Sequence, residues 1–110
     1  MNNLTIIGRL GAEPVVRTTK ETIVARISLG VNHKKDNVEE TEWLEVILWN
    51  NLASVVQQYY HTGDKVYVKG HLSSSSYEDK EGVTHNVTQI VADDIEKLST
   101  AKRNIQEQSE

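Results

Sequence analysis

Residues 41–49 read T-E-W-L-E-V-I-L-W and hold both tryptophans of a 110-residue chain that has no phenylalanine. Successive strand side chains point to opposite faces. Trp43, Glu45, Ile47 and Trp49 therefore fall on one side, and Leu44, Val46 and Leu48 on the other. A strand needs only one such face for its core. With the aliphatic set inward, two indoles stand outside, which is costly unless something covers them. Directly after this stretch the period changes. Asn50 stands where a helix would be capped, Leu52, Val55, Val56 and Tyr59 or Tyr60 recur at helical spacing, and Gly63 marks the stop.

Working outward from this strand-to-helix switch, Asn3–Leu10 reads as a first strand bent at Gly8. Gly11 and the only proline, Pro14, end it, with Val15–Thr18 as a short continuation. Thr22–Val31 alternates cleanly, with Ile23, Ala25, Ile27, Leu29 and Val31 on one face and Val24, Arg26 and Ser28 on the other. The polar segment N-H-K-K-D-N-V-E-E (32–40) reads as a hairpin loop leading into the strand at 41–49. Downstream, Lys65–Leu72 is a strand with Val66, Val68 and Leu72 opposite Tyr67, Lys69 and His71. A second hairpin, turned by E-D-K-E-G, joins Ser73–Tyr77 to Thr84–Ala92. Ile95 and Leu98 close a domain at 1–98, leaving a short polar tail at 99–110. Three strands, a helix and two strands give an all-β class with one helix, and that order matches the five-stranded Greek-key barrel, the OB-fold.

Composition excludes several function classes. There is no cysteine, hence no disulfide framework, thiolate site or cysteine nucleophile. His33, His61, His71 and His85 are scattered without metal-ligand spacing, so no metal and no cofactor is expected. The longest apolar run, Val46–Trp49, is far short of the roughly 20 residues that span a bilayer, so no membrane partner is expected. No phosphate loop, G-x-S-x-G or H-E-x-x-H occurs, and the carboxylates fall in turns; the chain does not read as an enzyme.

Binding is better supported. Single-stranded nucleic acid is held by aromatic faces that stack on bases and cations that track phosphates. Trp43 and Trp49 lie six residues apart, about 20 Å along a strand, a separation suited to two stacking points. Tyr77, at a strand end, is a candidate third. On the residues alone, stacking and core roles for the indoles stay equally open. The net charge of −4 argues mildly against a phosphate partner, but a local basic groove is available. Arg17 and Arg26 are polar-face strand residues, and Lys34 and Lys35 sit in the loop before the tryptophan strand, where an arm could clamp a backbone.

N-L-T-I-I-G-R-L-G-A-E-P-V-V-R (3–17), T-E-W-L-E-V-I-L-W-N-N-L-A (41–53), G-D-K-V-Y-V-K-G-H-L (63–72) and Y-E-D-K-E-G-V-T-H-N-V-T-Q-I-V-A-D-D-I-E-K-L (77–98) together resemble the bacterial and mitochondrial single-stranded DNA-binding proteins. The resemblance implies the OB barrel, assembled as a homo-oligomer with a tetramer favoured and a dimer as the alternative, wrapping single-stranded DNA without sequence preference. It places family aromatic positions on Trp43, Trp49, Tyr77 and Tyr59, and a basic position on Arg17. The expected phosphate set is Arg17, Arg26, Lys34, Lys35 and Lys69, and Tyr67 and His71 are the expected subunit contacts. The implied role is protection of exposed strands in replication, recombination and repair. The alternative is a primosomal-type or accessory OB protein acting mainly as a protein-interaction module with weak DNA binding.

Departures from the family pattern are informative. Lys35 stands where many relatives carry tryptophan, serines fill 73–76 where many carry cations, and Glu45 replaces a cation between the two indoles. Each loss removes stacking or charge, so weaker and less salt-sensitive binding than in a typical member is expected. No Gly/Gln-rich linker or acidic tip for recruiting replication partners precedes Glu110. The expected location is the bacterial cytoplasm at the nucleoid, or the mitochondrial matrix if a leader has been removed.

Overall fold

A computed structural model of the chain describes residues 2–100. The strands are β1 (Leu4–Leu10), β2 (Val15–Thr18), β3 (Ile23–Lys35), β4 (Val38–Trp49), β5 (Lys65–Glu78) and β6 (Thr84–Ser99), with α1 (Asn51–Tyr59) between β4 and β5. The sheet order β1-β5-β6-β4-β3-β2, together with a β1–β3 pairing, closes β1, β5, β6, β4 and β3 into a ring. This is the expected OB barrel, with β2 as a short outer strand on β3. One contact in the ring is parallel, Val46 with Ile90 and Ile47 with Val91 between β4 and β6. The residues from 101 onward, most of the expected tail, lie outside the described residues, and Ser99 is the last residue of β6.

Period-two alternation builds the core. Ala25, Ile27 and Leu29 of β3, Val46 and Leu48 of β4, and Val66 and Val68 of β5 point inward and are buried. Ala53, Val56 and Tyr60 come from the helix and its end to join this cluster. Val55 and Tyr59 of the same helix stay exposed. Ile47 departs from the simple alternation. It shares the outer row with the tryptophans yet is only 5% exposed, because β4 there is flanked on both sides, by Arg26 of β3 and Val91 of β6.

Local chemistry shifts several boundaries. The segment at 32–40 is not a loop, since β3 and β4 stay paired out to Lys35 opposite Val38. Only Asp36 and Asn37 turn, at φ of 54° and 66°. Those are left-handed values that Asp and Asn tolerate, as a tight two-residue hairpin requires. Along the polar arm Lys34 faces Glu39 across the ladder, and His33 Nε2 lies 3.3 Å from Glu42 Oε1. Asn50 holds the N-cap position, but its side chain makes no cap bond to α1; instead its Oδ1 accepts the Ile23 N–H at 3.3 Å. The helix ends before Gly63, with Tyr60 N–H bonding Val56 O. Leu72, expected inward, is 46% exposed. The alternation of β5 holds through buried Gly70, past a register shift at Lys69/Gly70 that skips Asp93 of β6; Leu72 lies opposite Ile90, the first β6 residue paired with β4, and beyond it β5 and β6 pair only with each other, as a two-stranded arm.

Beneath the helix end, Asp64 is fully buried. Its carboxylate accepts the His61 N–H at 2.9 Å and lies 3.1 Å from Lys97 Nζ. Lys97 also donates to Tyr59 O and sits 5.2 Å above the Tyr60 ring. The end of β6 is thereby fastened to the end of α1.

Candidate nucleic-acid interface

Antiparallel partners share a face, so the register of β2, β3 and β4 fixes an outer surface row by row. Running down β4, the rows are Trp49–Val24–Arg17, Ile47–Arg26–Val15, Glu45–Ser28, Trp43–Gly30, Thr41–Asn32 and Glu39–Lys34. Both indoles stand on this surface, Trp43 60% and Trp49 48% exposed. The aliphatic face of β4 is the buried one, which decides the question that alternation had left open.

Trp43 has a built seat. A Cβ placed on Gly11 would lie 2.5 Å from its Cζ3, and one placed on Gly30 would lie 3.0 Å from its Cη2. The indole thus lies against two glycine backbones, one side packed and the rest open to solvent. Gly11 N–H bonds Ser28 O at 2.9 Å, tying the loop after β1 to β3. A clamp fixes that loop from the other side: Glu13 accepts from the Thr62 N–H at 2.8 Å, from its hydroxyl at 2.9 Å, and sits 3.1 Å from His61 Nδ1. These bonds, the Thr62 N–H first and the His61 ring next, lower the Glu13 carboxyl from the usual 4.5 to about 2.

The expected cations do not act as one group. Arg17 lies in the Trp49 row with only Val24 between them. Arg26 lies on the same surface but is engaged, its Nε 3.4 Å from Glu45 Oε2. Lys34 is on the surface at the hairpin arm, opposite Glu39. Lys35, opposite Val38, is one residue out of phase and points to the other face, so the two lysines are strand residues and do not form a loop clamp. Lys69 is elsewhere altogether, on β5 between Thr5 of β1 and Asp94 of β6. β5 pairs with neither β3 nor β4, which explains why the structure does not bring Lys69 to the tryptophans.

The remaining aromatics lie outside the rows. Tyr59, 59% exposed, ends α1. Tyr77, 55% exposed, is near the tip of the β5–β6 arm, stacked on His85 with ring centres 5.1 Å apart. His85 Nε2 in turn lies 2.8 Å from Asp79 Oδ2. The Asp79 carboxyl is held below its ordinary value, first by His85 and then by the Val83 N–H. One face of the Tyr77 ring is thus covered and fixed. One residue beside Trp43 was missed from sequence: Arg9, which lines the cleft next to the indole and has Lys65 of β5 as its own cross-strand neighbour. That adjacency depends on pairings between distant strands that no local pattern carries.

Exposed aromatics on a rigid strand, with cations in neighbouring rows, can stack planar rings and neutralise anions. Comparison with known proteins agrees. The model of the single-strand binding protein family matches residues 1–98. A single-stranded DNA-binding protein 1 from Streptococcus pyogenes is 34% identical, over 96% of this chain and 84% of its own length. A single-stranded DNA-binding protein from Bacteroides thetaiotaomicron is 31% identical, over 94% of this chain and 70% of its own. Among solved structures, a Plasmodium falciparum SSB complex with ssDNA superposes with a TM-score of 0.79 at 23% identity, covering 90% of this chain and 96% of that one, and so shares the fold. The extent of the family match, with the relatives spanning the same barrel, places this chain in the single-strand binding protein family.

Proposed function

We propose that the chain binds single-stranded DNA without enzymatic activity, on the outer surface of β2, β3 and β4. The observation that carries this is the pair of half-exposed indoles on one face of β4, with a complete buried aliphatic set behind them. Trp43 and Trp49 stack bases, each stack contributing roughly 1–3 kcal/mol. Arg17 meets phosphates beside Trp49, and Tyr77 offers a third ring from the arm. Stacking on a π-face tolerates any base, so binding is independent of sequence, as protection of exposed strands in replication, recombination and repair requires.

A homo-oligomer, tetramer before dimer, is part of the same proposal. Its support is the outer face of β1 and β5, where Ile7 is 48% exposed beside Tyr67. Light scattering with and without oligonucleotide tests it.

A second reading, a protein-docking module with weak DNA binding, is favoured by one observation: Glu45 occupies Arg26, and Glu39 faces Lys34. Mobility shift of oligo-dT across a salt series separates the two. DNA binding predicts a complex at low salt that weakens as salt rises; absence of a low-salt complex rejects it.

A further inference from the structure

We infer that Glu45 stands in for a DNA phosphate on Arg26 in the free protein, and that a strand stacked on both indoles takes Arg26 over and turns Glu45 out into solvent. The exchange rests on the DNA-binding reading above and adds a switch of partners to it.

Trp43 and Trp49 lie six residues apart, about 20 Å along β4. The rows between them are Glu45–Ser28 and Ile47–Arg26–Val15. A strand held by both rings has to cross these two rows, and Glu45 and Arg26 are the only charges in them. Arg26 also has a neighbour of its own kind. Val15 faces Arg26 and Arg17 faces Val24, which sets the two arginines diagonally across the β2–β3 ladder, about 7–8 Å apart. One cleft is lined by both, with Val15, Val24 and Ala25, and Val24 separates Arg17 from Trp49. Arg17 has no ion pair among the described residues. Glu45 therefore answers one of two neighbouring guanidinium charges, and a phosphate beside Trp49 answers both.

The Glu45 contact is loose. Arg26 Nε and Glu45 Oε2 approach to 3.4 Å, and both side chains are more than half exposed. A well-formed bond between a guanidinium and an oxyanion runs at about 2.7–2.9 Å, often as a two-bonded fork, and exposed pairs add little stability. Glu45 can leave at small cost, and a phosphate makes the better bond. Its departure is still felt. A carboxylate freed beside the bound backbone draws a cation from solution, which offsets the counterion that the phosphate released. In the parent protein Arg26 thus adds nothing to the salt dependence of binding.

The test measures affinity of the full chain for labelled oligo-dT by anisotropy from 50 to 200 mM salt, for the parent, Glu45→Gln, Arg26→Gln and the double variant. Both substitutions replace exposed side chains, so all four proteins fold. With the site emptied in advance, Glu45→Gln binds up to about 5-fold tighter at 50 mM. Arg26 then counts as one phosphate contact, so the slope of log affinity against log salt steepens by about 0.7 and the advantage shrinks about 2.6-fold by 200 mM. In the Arg26→Gln background the same change brings neither the gain nor the steeper slope. A parent that binds while Glu45→Gln brings no gain overturns the exchange and leaves the DNA-binding reading standing. So does a gain that persists undiminished without Arg26, which would make Glu45 a plain repelling charge. Absence of binding by both the parent and Glu45→Gln at 50 mM salt overturns the exchange and the DNA-binding reading together.

Discussion

Adding one methyl group at Gly11 separates the role of the Trp43 seat from that of the core. An alanine Cβ there would stand 2.5 Å from Cζ3 and 2.9 Å from Cη2 of Trp43. Carbon atoms settle at about 3.5–4.0 Å, so the indole has to withdraw by about 1 Å or swing away. The ring is the far end of a side chain that is 60% exposed, and it has room to do so. The cost therefore falls on the stacking platform. Oligo-dT affinity drops by up to the value of one stacked base, roughly 1–3 kcal/mol, while stability stays within about 1 kcal/mol, since Gly→Ala also restricts the unfolded chain. Gly70→Ala is the contrasting case. Its Cβ would lie 2.2 Å from the backbone oxygen of Val91, which has no rotamer to change. That overpacking costs about 1–3 kcal/mol or more of stability without altering affinity per folded molecule. Thermal unfolding and fluorescence titration on both variants give the answer. An early-melting Gly11→Ala protein with wild-type affinity would refute the seat.

Acid should weaken the loop that carries Gly11. Because the folded Glu13 carboxyl is depressed from 4.5 to about 2, its contribution is complete above pH 4.5 and is lost as pH falls through that window; a melting series from pH 5 to 2 should be flatter for Glu13→Gln than for the parent. Lys97→Met leaves the buried Asp64 without its ammonium partner and should cost roughly 2–4 kcal/mol in denaturant unfolding, somewhat below a fully buried pair because Lys97 is partly exposed. His85→Ala uncovers the stacked face of Tyr77 and should weaken oligo-dT binding several-fold through lost ring packing of about 0.5–1.5 kcal/mol, measured by anisotropy, with little change in melting.

What sequence carried was local. Alternation sorted Thr22–Val31 and the tryptophan strand into two faces each, because period two is set by neighbouring residues alone, but in the tryptophan strand it left open which face is buried. The strand-helix-strand order then sufficed for the barrel. Pairing between distant strands was not legible. Glu45 and Arg26 are 19 positions apart and meet only because Ser28 and Ile47 fix the β3–β4 register. Lys69 looked like any other cation until the ring order put β5 on the far side of the barrel. Lys34 and Lys35 were misplaced because a nine-residue stretch with eight polar residues suggests a loop; a two-residue Asp-Asn turn and facing charges instead extend the ladder through them. Arg9 carried no local mark at all, and its place beside Trp43 exists only through Gly30.

The central claim is that both indoles of β4 meet DNA, and two single-tryptophan proteins test it most directly. Trp43→Phe and Trp49→Phe are each titrated with oligo-dT at low salt while the remaining indole's emission is followed. Saturable quenching in both is the predicted result. An indole that stays unquenched while the oligonucleotide is demonstrably bound contradicts the account.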